Sequence, residues 1–127
     1  MIVNHTLLFD RELSFQLRRI VQGFCEVNSD FEYFRWREED VLPIMTDRQK
    51  EVYQSYGSRI LKADFARYII LYNKGGIYTD FDIVAKKPLS FLLKKYRNYD
   101  CVFLEEKTFS KDEAEHIVAN EPIRKTL

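Results

Sequence analysis

Two aspartates separated by one residue, Asp80 and Asp82, are the side chains whose type and spacing most directly suggest chemistry. They lie in the stretch 77–84 (IYTDFDIV), whose pattern predicts a strand. Alternate side chains of a strand share a face, so two carboxylates about 6.7 Å apart would face one site. Oxygen ligands held in this way, with room for water and phosphate oxygens, suit Mg²⁺ or Mn²⁺ better than Zn²⁺. The alternative is a pair of solvated acids at the end of a strand.

A second pair of charges, Asp64 and Arg67, stands on the helix that precedes this strand. Residues three apart lie on one helical face. The two charges interrupt a sequence that is apolar almost all round, which predicts a buried helix. Charges on a buried helix must be paired or face a cleft. Two interpretations follow: an internal Asp64–Arg67 ion pair, or an Arg67 that faces the same metal site and offers its fork of hydrogen-bond donors to a diphosphate.

Local signals predict where this helix begins and ends. Ser58 is a predicted N-cap, because its side-chain oxygen can accept hydrogen bonds from the free amides of the first turn. The helix is expected to run to about Lys74 and to end at Gly75-Gly76, because glycine readily takes the left-handed conformation that closes a helix. The chain then enters the predicted strand directly.

The rest of the chain alternates strands with helices. Further strands are predicted at 2–9, 31–36 and 100–104, and further helices at 11–27, 47–53, 89–95 and 113–119. This alternation is typical of an α/β sandwich with a largely parallel sheet. Since no repeat or linker marks a boundary, residues 1–127 are expected to form a single domain.

Composition and charge exclude several classes of function. Twenty Lys and Arg balance twenty Asp and Glu, so no overall field attracts nucleic acid. The longest uninterrupted apolar stretch, 68–72, is far shorter than the ~20 residues of a membrane helix. The first ten residues lack the pattern of a secretory signal, which predicts a cytoplasmic location. Cys25 and Cys101 lack zinc-site spacing and are expected to be free, buried thiols.

The residues from Lys62 to Asp82 form a recognisable signature. They read KADFARYIILYNKGGIYTDFD and contain A-D-x-x-R, an apolar helix, G-G-x-Y and D-x-D. This stretch closely resembles the signature of the DXD-containing glycosyltransferases of family 32, which include Och1-like mannosyltransferases, bacterial capsular sugar transferases and, as relatives, the large glucosylating toxins. The opening strand, IVNHTLLF, is similar to the family's I-I-H-Q-x-W-F strand, with His5 matching and Leu8 replacing an aromatic. FEYFRW at 31–36 is similar to the family's Y-x-x-x-W strand.

The resemblance implies a nucleotide-sugar-binding fold of the GT-A type, a Rossmann-like α/β/α sandwich with a mostly parallel sheet, here shortened at the C-terminus. It implies metal-dependent transfer of a hexose, with retention, from a nucleotide sugar to a glycan or other hydroxyl acceptor, as in polysaccharide biosynthesis. Mn²⁺ or Mg²⁺ is the implied cofactor. The alternative is a catalytically impaired or inactive truncated homologue that only binds nucleotide and metal. A metal-dependent phosphohydrolase would use the same aspartates but lacks the further acids and histidines that such sites gather.

The resemblance also assigns roles by position. Asp80 would contact the ribose and the sugar, and Asp82 would coordinate Mn²⁺ at the diphosphate, so both are expected metal ligands. Together with Arg67 they are the expected catalytic residues. Asp64 and Arg67 would hold the sugar of the nucleotide donor, with Arg67 also near the phosphates.

The resemblance places Leu8 at the nucleotide base, where it replaces a stacking aromatic and so puts base affinity or base choice in question. The remaining candidates have two interpretations each. Tyr78 either lines the nucleotide cleft or forms a wall of the core. His5 is expected to be a hydrogen-bonded core histidine rather than a catalytic base. Glu105 and Glu106 either approach the acceptor or form a solvated acidic pair.

Overall fold

The computed structural model describes residues 3–9 and 12–103. In chain order the elements there are β1 (Val3–Leu7), α1 (Phe15–Val27), β2 (Glu32–Trp36), α2 (Glu38–Val41), a 3₁₀ turn (Leu42–Ile44), α3 (Asp47–Ser55), α4 (Arg59–Lys74), β3 (Ile77–Tyr78) and α5 (Ser90–Lys95). The chain divides into two compact units, residues 1–95 and 96–127. All of these elements belong to the first unit, and the single domain expected for 1–127 stays a prediction.

Side-chain caps explain where the three longest of these helices begin. A hydroxyl oxygen accepts a hydrogen bond from a first-turn amide in each case, which satisfies one of the amides that lack a partner inside the helix. The bonds are Leu17 N to Ser14 Oγ (3.3 Å), Gln49 N to Thr46 Oγ1 (3.3 Å) and Ile60 N to Ser58 Oγ (3.2 Å). The N-cap predicted at Ser58 is therefore confirmed.

The three strands form a parallel sheet in the order β2-β1-β3. Strand β1 pairs with β2 from Val3↔Glu32 to Leu7↔Trp36. The chain therefore leaves β1 towards one side and later returns to β3 on the other side. At such a reversal a crevice opens at the carboxyl ends of the strands, where ligands bind in open α/β sheets. The predicted α/β class with a parallel sheet is confirmed.

Helices cover both faces of the sheet. Successive side chains along β1, and likewise along β2, point to opposite faces of the sheet. One face packs against α4 in a core of Leu7, Trp36, Val41, Met45, Tyr53, Ala66, Ile69 and Ile70. On the other face the Phe24 ring of α1 lies 5.8 Å from the Tyr33 ring of β2. Burying an aliphatic side chain such as Ile70 completely contributes about 1.5–3 kcal/mol, so the core fixes α4 firmly on β1.

A charged contact also fixes α4 against α2. Lys62 Nζ lies 2.9 Å from Glu38 Oε1 and 4.9 Å from the centre of the Tyr53 ring. The hydrogen bond from Lys62 lowers the pKa of Glu38, and burial raises the pKa of Tyr53. The helix that carries Asp64 and Arg67 is thus held by a core on one side and an ion pair near its start.

Two predictions about burial are wrong. Helix α4 is not buried all round, since Ile60 is 68% and Tyr72 88% exposed; only the face that contains Ala66, Ile69 and Ile70 meets the sheet. The thiols are free as expected, but Cys25 is half-buried and Cys101 exposed.

The strand predicted at 100–104 is also wrong for residues 100–103, the part of it that the structure describes. Residues 100–103 form no strand, and Phe103 is 70% exposed, so the apolar pattern does not mark a buried strand. Leu104, Glu105, Glu106 and the predicted helix 113–119 lie outside the described residues. Among the helices within 3–9 and 12–103, none is long and apolar enough to cross a membrane.

Candidate functional site

The two aspartates stand in a turn and not on a strand. Strand β3 ends at Tyr78, and the last ladder-type bond runs from Thr79 N to His5 O (3.0 Å). Ile83 N then donates to Asp80 O at 3.3 Å, which closes a turn over residues 80–83. Aspartate is favoured at the first position of such turns. The predicted strand 77–84, with Asp80 and Asp82 on one face, is therefore wrong beyond Tyr78.

This aspartate turn, defined as residues 80–83, contains both aspartates. Asp80 and Asp82 occupy its first and third positions, and both are exposed. The turn directly follows β3, so it lies at the carboxyl edge of the sheet, where the strand order opens a crevice. A metal site shared by the two carboxylates stays a prediction.

Arg67 joins helix α4 to the aspartate turn. Its Nη2 lies 2.8 Å from Asp64 Oδ1 and 3.6 Å from Asp80 Oδ1. The side chains are partly exposed, at 32% for Arg67, 51% for Asp64 and 47% for Asp80. Arg67 therefore pairs with Asp64, as one interpretation expected, and it also reaches Asp80; its role towards a metal or a diphosphate stays a prediction. It does not lie in a dry interior.

Tyr78 lies beneath this arginine. The guanidinium carbon of Arg67 is 5.3 Å from the ring centre, a cation–π geometry. The ring also packs against the core. Burial, and then the negative charge of Asp80, raise the pKa of Tyr78 to about 12, so its hydroxyl stays protonated at neutral pH. Tyr78 therefore forms a wall of the core and borders Arg67, while its expected role in lining a nucleotide cleft stays a prediction.

Leu8 stands at the same edge of the sheet. It directly follows β1, its backbone N donates to Trp36 O at 2.9 Å, and its side chain is half-buried. Leu8 therefore lies at the carboxyl end of β1, next to the strand that leads into the aspartate turn. Its contact with a nucleotide base stays a prediction.

His5 is a core histidine, as predicted. It is 3% exposed, and Trp36 Nε1 donates to its Nδ1 at 3.0 Å. Because an indole nitrogen can only donate, Nδ1 is the acceptor and Nε2 carries the proton, which it donates to Gly75 O at 3.0 Å. Burial lowers the pKa of His5 below its usual 6.5. Both ring nitrogens are occupied in the neutral form, so His5 is not available as a base.

Sequence reasoning missed the residues that tie β3 to β1. Gly76 has φ +84°, and a Cβ there would overlap the Val3 carbonyl oxygen and lie 3.2 Å from His5 Nε2. Asn4 Nδ2 donates to Thr79 Oγ1 at 3.0 Å. The glycine pair gave a signal for a helix end, but no sequence signal linked Asn4 to a residue 75 positions away.

The donor set at this edge fits a hard divalent cation only in part. Two carboxylate oxygens are ligands that Mg²⁺ and Mn²⁺ prefer. Within the described part of the chain, no group of three or more His, Cys, Asp or Glu is arranged to hold a metal ion by itself. Mg²⁺ commonly binds through one or two carboxylates, with water and substrate phosphates completing the shell. Asp80 and Asp82 match that incomplete protein shell.

Comparison with known proteins gives one family. The family model described as "Glycosyltransferase sugar-binding region containing DXD motif" matches residues 14–103. This range contains Asp64, Arg67, Tyr78 and both aspartates of the turn. No solved structure matches the chain significantly.

Curated relatives match shorter segments. The chain is 40% identical over 68 residues to "Inositol phosphoceramide mannosyltransferase 1" of Schizosaccharomyces pombe, which covers 51% of this chain and 21% of the relative. It is 51% identical over 39 residues to "Initiation-specific alpha-1,6-mannosyltransferase" of Candida albicans, covering 31% of this chain and 10% of that relative. It is 33% identical over 82 residues to "Uncharacterized glycosyltransferase L373" of Acanthamoeba polyphaga mimivirus, covering 61% of this chain and 33% of that relative. The matches thus span a third or less of each of these relatives.

Proposed function

Because this chain belongs to the family of glycosyltransferases whose sugar-binding region contains a DXD motif, we propose that it binds a nucleotide sugar at the carboxyl edge of its sheet. It transfers the hexose, with retention, to a hydroxyl of a glycan or another acceptor. Mannose is the proposed hexose, since two of the relatives reported above are named mannosyltransferases. The observation that carries the proposal is Arg67, which joins Asp64 of α4 to Asp80 of the aspartate turn.

The proposed cofactor is Mn²⁺ or Mg²⁺, held by Asp80 and Asp82. Both carboxylates are exposed, so an ion can reach either of them from solvent. The chemistry supplied at this position is Lewis-acid stabilisation of the negative charge on the departing nucleoside diphosphate. Retention rests on the family resemblance, and its direct test is the anomeric configuration of the product.

The chain's own residues bind and orient the sugar donor in this proposal. Asp64 holds Arg67 by a 2.8 Å ion pair and so keeps a fork of N–H groups at the crevice. Arg67 offers these to the diphosphate and the sugar. Tyr78 contributes a protonated hydroxyl, because its pKa is raised to about 12. Leu8 provides an apolar contact for the base.

The test of metal and nucleotide binding is thermal unfolding with Mn²⁺ and a nucleoside diphosphate. A ligand that binds only the native state stabilises it by about 2.7 kcal/mol at 100 times its Kd, so the wild-type midpoint should rise. Asp82→Asn should remove this shift. Asp30→Asn, at an exposed turn aspartate remote in sequence, is the control and should keep it. A shift that survives in Asp82→Asn would place the metal elsewhere.

The test of transfer measures released nucleoside diphosphate and glycosylated acceptor in parallel. Nucleotide and metal binding without product from any hydroxyl acceptor would favour the alternative, a homologue that binds but does not transfer. The cytoplasmic location expected from the sequence stays a prediction.

A further inference from the structure

Strand β3 is too short to hold the aspartate turn by ladder pairing alone. Only two residue pairs, Asn4↔Ile77 and His5↔Tyr78, join it to β1. A short two-stranded pairing is marginal without further contacts. The turn that carries Asp80 and Asp82 therefore depends on other interactions at the two ends of β3.

The N-terminal end of β3 is held on the face of the sheet that packs against α4. His5 Nε2 donates to Gly75 O at 3.0 Å, just before β3 begins. The ring cannot rotate freely, because its Nδ1 accepts from Trp36 Nε1. Gly76 lies so close to β1 that a Cβ would overlap the Val3 carbonyl oxygen. The chain enters β3 in close contact with the central strand.

The second end is held on the opposite face by the neighbouring residue of β1. Asn4 is fully buried, and its amide contacts the Thr79 hydroxyl through Nδ2 (3.0 Å) and Oδ1 (3.4 Å). Thr79 is the residue immediately before Asp80. A buried polar contact of this kind is directional and is costly to leave unmade.

We propose that Asn4, acting through Thr79, is a positioning residue for the aspartate turn, and that adjacent His5 holds the other end of β3. The two side chains lie on opposite faces of β1 and hold the two ends of the short strand, at Gly75 and at Thr79. The direction in which the chain leaves the sheet at Asp80 is thereby set by Asn4. This inference rests on the proposed function only where it expects weaker nucleotide binding; the ordering of the turn is a property of the chain itself.

The experiment compares Thr79→Val with the double variant Asn4→Leu/Thr79→Val and the control Thr46→Val. The Thr46 hydroxyl also makes one hydrogen bond, which it accepts from Gln49 N at the start of α3 (3.3 Å) and not at β3. Replacing both partners of a hydrogen bond by apolar groups can be nearly neutral for stability. The double variant therefore separates a purely structural role from positioning.

Two measurements are made on each variant: hydrogen exchange at the backbone amides of positions 79 and 83, and titration with Mn²⁺ plus uridine or guanosine diphosphate. We expect faster exchange at both amides, and about a three- to tenfold higher Kd in the single and double variants, as the loss of one hydrogen bond implies. Thr46→Val should leave both readouts at wild-type values. Recovery of both readouts in the double variant, or equal changes in Thr46→Val, would overturn the proposal.

The exchange measurement keeps this inference apart from the proposed function. If the wild-type chain binds neither nucleotide, the proposed function fails, while faster exchange at Ile83 in the variants still supports positioning by Asn4. If the wild type binds nucleotide and Ile83 exchange is unchanged in every variant, the positioning role is wrong and the proposed function stands.

Discussion

Replacing Gly76 by alanine tests whether the turn between α4 and β3 must touch β1. The wild-type residue has φ +84°, and an L-residue in the left-handed region costs about 1–2 kcal/mol. A Cβ there would also overlap the Val3 carbonyl oxygen, which is backbone and cannot move aside cheaply. Separating the turn from β1 would forfeit the bond between His5 and Gly75 and a neighbouring ladder bond, at about 0.5–1.5 kcal/mol each. We therefore expect Gly76→Ala to lower the free energy of unfolding by about 2–5 kcal/mol.

Gly75→Ala is the matched control, because it changes the adjacent residue. Its φ is +64°, but no atom lies within 4 Å of the added Cβ. Its ψ is −158°, so alanine there should cost only the strain of a backbone region essentially restricted to glycine, on the order of 1–3 kcal/mol. Gly23→Ala, in the middle of α1 with open space around the Cβ, should stabilise the protein by up to about 1 kcal/mol.

Urea denaturation followed by tryptophan fluorescence is the assay. The chain has one tryptophan, and it is 5% exposed in the core, so its emission reports on the sheet. The comparison requires that the free energy of unfolding depends on urea concentration with a similar slope in all variants. Equal destabilisation by Gly76→Ala and Gly75→Ala would refute the argument that close approach to β1 demands glycine at 76.

Two further predictions concern charge. Burial lowers the pKa of His5, so near pH 6.5 the unfolded chain binds a proton that the folded chain does not bind. The free energy of unfolding should therefore fall below about pH 6.5, by at most ~1.4 kcal/mol per pH unit. In denaturation series between pH 7.5 and 5.5, His5→Gln should lack this slope. Arg67→Ala should cost only about 1–2 kcal/mol, because its ion pairs are partly exposed and its contact with Tyr78 is modest, yet nucleotide-sugar binding measured by titration should fall at least about tenfold, the loss of one or two charge-assisted bonds. A stability loss above about 3 kcal/mol with unchanged binding would instead indicate a buried structural pair.

Signals that act within a few residues predicted the structure well. The cap at Ser58 and the glycine end of α4 depend on bonds inside one helical turn, so the sequence contains all the information needed. The parallel α/β class followed from alternation of elements along the chain. Asp64 and Arg67 were correctly placed on one helical face, because their spacing alone determines it.

Features that depend on distant partners were predicted poorly. Residues 79–84 alternate as a strand does, yet a strand exists only where a neighbour supplies ladder bonds, and those end with Thr79. The apolar surface of α4 similarly did not reveal which face meets the sheet. The bond between His5 and Trp36 joins residues 31 positions apart, and no local pattern specifies it. The candidate site was found through Asp80 and Asp82, while the residues that hold their turn in place were not.

The long sequence separation of these same contacts has a consequence for the order of folding. The partners in β1 and β2 lie 29 positions apart, as Val3↔Glu32 shows, whereas Asn4 and Thr79 lie 75 positions apart. Each doubling of a closed loop costs about 0.6 kcal/mol more in chain entropy. We expect β1, α1 and β2 to associate first and β3 to join late, so stopped-flow kinetics of Gly76→Ala should show faster unfolding with little change in the folding rate. The aspartate turn would then form after β1 and β2 have paired and would open before that pairing is lost.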